Sequence, residues 1–93
     1  ERIAVVLNLA NMREASLVDT DLRGASLRDV NLHHADLTRA NLEGAQLMGA
    51  VLRHAEVTDA NFKGVPLVTV NITFANFSLA RNADVPAFKQ NVR

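Results

Sequence analysis

Histidine, carboxylate and serine side chains are the groups in this sequence with chemistry to offer, and their spacing is regular. His34 and His54 stand twenty residues apart, with Glu14 twenty before His34. Two imidazoles and a carboxylate are donors that zinc accepts, provided the chain brings that interval together and holds it rigid. A regular step of this kind suits neighbouring side chains on a solvated wall, and no third rigid ligand lies nearby except by choice of rotamer, so surface histidines are expected and a metal centre is not. At the same interval His33 falls between Arg13 and Arg53, whose charge disfavours imidazolium. Asp19, Arg39 and Asp59 alternate in sign, which reads as a charge ladder that fixes register. Ser16, Ser26 and Ser78 have no base at a matching position, so nucleophilic catalysis lacks its partner. Cysteine is absent, which removes thiolates, disulfides and cysteine metal sites and leaves the redox compartment open. No enzymatic activity and no cofactor is expected.

The elements that position these groups follow from a shorter period. From Ala10 to Leu79 the chain divides into fourteen pentads without an insertion, whose centres are Met12, Leu17, Leu22, Leu27, Leu32, Leu37, Leu42, Leu47, Leu52, Val57, Phe62, Leu67, Ile72 and Phe77. In a chain that is 48% apolar, chance gives an unbroken apolar run of this kind with a probability on the order of one in tens of thousands. Ala stands two before most centres. On a helix a step of five advances the side chain by about 140° net and scatters the leucines round the cylinder. On a continuous strand an odd period sends successive leucines to opposite faces. What remains is a short extended piece with a small and a large residue pointing inward, then a corner.

Four such sides make a coil, because Gly24, Gly44 and Gly64 recur at twenty, as do the histidine and charge columns. Residue n then lies over n+20 at about 4.8 Å, the spacing of paired strands. The interior columns expected are Leu17, Leu37, Val57, Phe77; Leu22, Leu42, Phe62; Leu27, Leu47, Leu67; and Met12, Leu32, Leu52, Ile72. Alanines fill the companion columns because a narrow tube cannot hold eight large side chains per layer. The glycine corner asks for a turn with positive φ. Asn11, Asp21, Asn31, Asp36, Asn41, Asn61, Asn71 and Asn76 suit the corners by bonding nearby backbone.

Tandem A(D/N)LXX units, with ADLTR, ANLEG and ANFKG as close matches, resemble the pentapeptide-repeat family. The resemblance covers about three quarters of the chain and implies an all-β fold, a right-handed quadrilateral β-helix of about 3.5 coils; the handedness comes from the family alone. Thr20, Val51, Pro66, Ser16 and Ser26 depart from the pattern and bear on local turn type, not on the fold. Some members of the family resemble a DNA duplex in girth and charge and bind DNA gyrase, in part protecting it from quinolones. That reading needs a strongly acidic surface, whereas here ten basic residues balance ten acidic ones.

Ninety-three residues make one domain. Residues 1–9 (ERIAVVLNL), which lack an initiator Met and suggest a processed or excised piece, are expected to be an N-terminal cap or degenerate repeat. A capping helix is the alternative there, and a signal remnant the least favoured reading. Residues 10–79 hold the repeats. Residues 80–93 are expected to cap the last coil, as a short helix opened by Asp84 and Pro86 or as an irregular plug. No apolar run approaches the roughly 20 residues of a membrane helix. A soluble chain is expected, in the cytoplasm ahead of a lumenal or periplasmic compartment.

Function is therefore expected on a wall. Three walls present mainly charged side chains outward. The fourth continues above Arg28 and Asp29 with Met48, Gly49, Val68 and Thr69, and Val51 and Pro66 adjoin it. Met48, Val51 and Val68 form the candidate patch for a protein partner, or for a weak homodimer by wall or end stacking. No nucleic-acid or membrane partner is expected.

Overall fold

From Leu7 to Phe77 the carbonyl of every fifth residue accepts a hydrogen bond from the N–H three residues on. These bonds run from Ala10 N–H to Leu7 O through to Ala80 N–H to Phe77 O, at 2.8–3.3 Å. In this computed structural model, which describes residues 4–93, each apolar centre thus opens a four-residue turn. The third residue of the turn has φ between +55° and +74° at every corner except Thr69 and Leu79, as a type II turn requires. Positive φ is therefore not confined to the Gly24, Gly44 and Gly64 corner. Glu14, Asp19, His34, Arg39, His54 and Phe74 adopt it too. Asn11, Asp21, Asn31, Asp36, Asn41, Asn61, Asn71 and Asn76 each accept the N–H two residues on, at 3.0–3.3 Å. The side-chain oxygen satisfies the amide that the turn leaves unpaired.

Consecutive coils pair in parallel with an offset of twenty residues throughout, from Val6 with Ser26 to Asn61 with Arg81. Four corners per twenty residues make the tube four-sided. Its first face carries the centres Met12, Leu32, Leu52 and Ile72, and its second Leu17, Leu37, Val57 and Phe77. The third carries Leu22, Leu42 and Phe62, and the fourth Leu7, Leu27, Leu47 and Leu67. Leu22, Leu27, Leu32, Leu37, Leu42, Leu47, Leu52, Val57, Phe62, Leu67, Ile72 and Phe77 are all buried, with the alanines between them. Leu17, expected in the core, is only partly buried, as is Met12. Both belong to the layer nearest the N-terminal end, with only residues 4–9 as a partial layer before it.

Residues 4–9 form a further side of the fourth face: Leu7 N–H donates to Ser26 O at 2.8 Å, and Ser26 N–H to Val5 O at 2.8 Å. They continue the tube and hold no helix. Glu1, Arg2 and Ile3, also assigned to the expected cap, lie outside the described residues. At the other end the short helix expected over 80–93 does not form. Only one turn closes there, Lys89 N–H to Pro86 O at 3.1 Å. The segment pairs with the open edge of the last coil instead: Phe74 N–H donates to Asn91 O at 2.6 Å, Phe77 N–H to Arg93 O, and Lys89 Nζ to Val70 O at 2.8 Å. An isolated helix of this length is marginal, while an uncovered ladder edge offers donors and acceptors already in line. Phe62 and Phe77, with ring centroids 5.1 Å apart, fill the core toward this end.

Candidate functional site

The fourth face is where the ladder is interrupted. Between its lower coils the pairing is complete: Leu27 N–H to Gln46 O at 2.8 Å, Asp29 N–H to Met48 O at 2.9 Å, Gln46 N–H to Ala25 O at 2.8 Å. Among the described residues no backbone hydrogen bond joins Gln46–Gly49 to the next layer, Pro66–Thr69. Two residues account for the loss. Pro66 stands where the paired residue must donate an N–H and has none. Thr69 is the one β-branched residue at the positive-φ position of the corners, and β-branching makes that conformation an outlier. Its turn keeps φ negative. The Thr69 hydroxyl, not a carbonyl, receives the Gly49 N–H, at 3.3 Å.

The interruption leaves a slot of about 250 Å³, lined by Arg28, Ala45, Gln46, Leu47, Met48, Pro66, Val68 and Thr69 and by two glycines. Met48 and Val68 flank it, 60% and 59% exposed. The structure thus brings together two of the three patch residues. Val51 is partly buried in the Asn31–Val51–Asn71 column and does not line the slot. Of the five departures from the pattern, only the Pro66 pentad changes its turn; Ser16, Ser26 and Val51 belong to pentads with ordinary corners at Asp19, Asp29 and His54. The signals for the slot were a proline without a donor, a β-branched corner, and a fourth face on which Val6, Ser26, Gln46 and Pro66 replace the turn-bonding Asn or Asp.

The histidines lie elsewhere, on the edge between the first and second faces. His34 and His54 stack with centroids 4.7 Å apart and rings within 3° of parallel, and Phe74 continues the stack 4.9 Å above His54. Their shared positive-φ corner aims all three rings the same way. His33 lies 4.5 Å from His34, and Arg53 sits 5.1 Å from the Phe74 ring centroid. Loss of solvation, with Arg13 and the other imidazoles adding charge repulsion, holds His33 below the ordinary imidazole range. Loss of solvation and then His34 do the same for His54. Among the described residues no group of three His, Cys, Asp or Glu is placed to hold a metal ion. Asp19 and Arg39 form a two-pronged ion pair at 2.7 and 3.0 Å, which draws the Asp19 carboxyl below its usual range.

A family model described as pentapeptide repeats, in eight copies, matches residues 6–44 and 45–81. Among solved structures, a pentapeptide repeat protein from the thylakoid lumen of Arabidopsis thaliana is 29% identical over 92% of this chain, with a TM-score of 0.79, and the match takes up 59% of that protein's chain. A pentapeptide repeat protein from Nostoc PCC 7120 is 25% identical with a TM-score of 0.54, covering 97% of this chain and 76% of the other. A plasmid-mediated fluoroquinolone resistance protein is 15% identical with a TM-score of 0.52, covering 95% and 59%, a likeness of fold alone. Among curated proteins none matches. The chain spans about three fifths of the Arabidopsis and resistance proteins it matches. A twenty-residue ladder, turns every five residues and the family match agree: the chain belongs to the pentapeptide-repeat family.

Proposed function

We propose that this chain is a non-enzymatic protein-interaction module, a right-handed tube of about three and a half coils that offers its fourth face to a protein partner. The carrying observation is that Met48 and Val68, both exposed, stack one coil apart where the ladder is open. Apolar side chains that pack nothing inside the tube are the feature a binding surface uses. Duplex mimicry is the lesser reading: Asp19, Arg39 and Asp59 alternate along one face, Arg23, Glu43 and Lys63 along another, and the net charge is zero, where mimicry of phosphates needs one sign throughout. No helix among the described residues is long and apolar enough to cross a membrane. Polar outward positions support a soluble protein; the cytoplasm is the compartment we favour, with a lumen, as for the thylakoid-lumen neighbour, or the periplasm as the alternative.

Replacing Met48 and Val68 together with Lys tests this. The circular-dichroism melt is expected to stay close to wild type, while capture of partners, or dimerisation seen by sedimentation velocity, weakens. Unchanged capture and sedimentation would transfer the proposal to the histidine edge and Phe74.

A further inference from the structure

The slot on the fourth face holds orphaned main-chain groups as well as apolar walls. It is bounded where the ladder resumes, at Gly44 N–H to Lys63 O, 2.8 Å, and Asn71 N–H to Ala50 O, 2.9 Å. Between those limits Leu47 N–H and the carbonyls of Ala45, Pro66 and Val68 have no hydrogen-bond partner among the described residues. Leu47 is 1% exposed, so its N–H is a buried donor of the kind native structures seldom leave unpaired. These groups are those of a strand edge, pointing into a space edged by Met48 and Val68. The volume, about 250 Å³, lies below the roughly 300–1,000 Å³ of pockets for drug-sized ligands. It suits one side chain with its own peptide unit. Arg28 lines the slot and makes no ion pair among the described residues.

We propose that the slot binds an extended peptide segment of a protein partner. One apolar side chain of that segment sits between Met48 and Val68, its main chain pairs with Leu47 N–H and the facing carbonyls, and an acidic neighbour meets Arg28. An extended peptide supplies both a C=O for the buried Leu47 donor and N–H groups for the carbonyls, which is how strand addition achieves affinity, while the side-chain slot gives specificity. The flexible Met48 thioether adapts to aliphatic or aromatic anchors alike. This inference rests on the reading of the fourth face as the interaction surface and goes further in naming what the partner brings.

The test is a titration of the ¹⁵N-labelled chain with acetylated, amidated pentapeptides carrying a central Phe, Leu or Met, each with and without a flanking Asp. Saturable shifts at the Leu47, Met48 and Val68 amides are expected, with slowed exchange of the Leu47 N–H. N-methylation of the peptide's central amide should weaken binding about two- to tenfold, the effect of one lost hydrogen bond. The Pro66→Asn, Thr69→Gly variant restores the missing donor and permits positive φ, so the ladder closes; its urea midpoint should rise and peptide binding vanish. Absence of shifts with every peptide, indifference to N-methylation, or undiminished binding by the closed variant overturns the inference. The wild-type titration decides this even if the closed variant folds poorly. If the peptides fail while Met48→Lys, Val68→Lys still loses its partner, the face is the interaction surface and the slot is not its recognition element.

Discussion

Leu42→Ala measures how rigidly the tube is built. Leu42 is fully buried, in a column between Leu22 and Phe62. Its own N–H donates to Asn61 O at 2.9 Å, Leu22 N–H donates to Asn41 O at 2.8 Å, and Ala45 N–H closes the turn on Leu42 O at 2.8 Å. Layers clamped above and below at ladder spacing cannot close on a vacancy, so the loss belongs near the upper end of the usual range for Leu to Ala, about 4–5 kcal/mol. Leu17→Ala removes the same atoms from a partly buried site near the open end, where no enclosed cavity remains. About 1–2 kcal/mol is expected there. Against a total stability of about 5–15 kcal/mol, the first variant should lower the urea midpoint severely and the second modestly, with the m-value unchanged in both. Far-UV circular dichroism follows the transition. Equal costs at the two positions, or a cost at Leu42 below about 1 kcal/mol, would refute the clamped-layer argument.

Leu37→Asp should abolish cooperative folding, because a charge in a dry core has neither partner nor exit, whereas Arg39→Ala, which opens an exposed ion pair, should leave the urea midpoint close to wild type. Deleting Ala35–His54 removes one coil and keeps every column in register, so a cooperative melt should survive. Deleting the ten residues Ala45–His54 displaces the glycine corner and the end pairing by half a coil and should melt far lower; equal melts would count against the four-sided register. Acidification from pH 7.5 to 5.5 should lower the melting temperature. His33 and His54 titrate below the ordinary 6.5 in the fold, so the unfolded chain takes up protons first and stability falls as pH drops through that value. Arg13, Arg53 and His34 face the pair with positive or chargeable groups, and in sequence register only Glu14 opposes them. The His33→Gln, His54→Gln variant should flatten the dependence; a melting temperature that rises on acidification contradicts the assignment.

The repeat made most of this architecture readable because one volume rule and one turn rule act at every corner. An apolar residue at every fifth position and a small one two before it specify the interior, and the coil length follows from Gly24, Gly44 and Gly64. The eight Asn and Asp residues expected to bond the corners do so without exception. The tail was harder. Asp84 and Pro86 are sound local signals for a helix start, but local preference competes there with an unfinished ladder at Phe74 and Phe77, and that ladder exists only once the coils have stacked.

The slot was missed for a related reason. Met48 and Val68 were legible as outward apolar residues, yet nothing in either residue says that the wall between them is open. That depends on Pro66 and Thr69 falling in the same pentad. A missing donor alone costs one rung, and the Leu79 corner shows that a negative φ alone leaves a side partly paired: the Glu56–Asn76 bridge persists and Asp59 N–H finds Leu79 O at 2.8 Å, although Val57 N–H no longer bonds Asn76 O. Only where both defects coincide does a whole side of the coil lose its backbone bonds to the layer below. A periodic fold averages over single departures and yields where two fall together, so the informative positions in such a sequence are pentads that break the pattern twice.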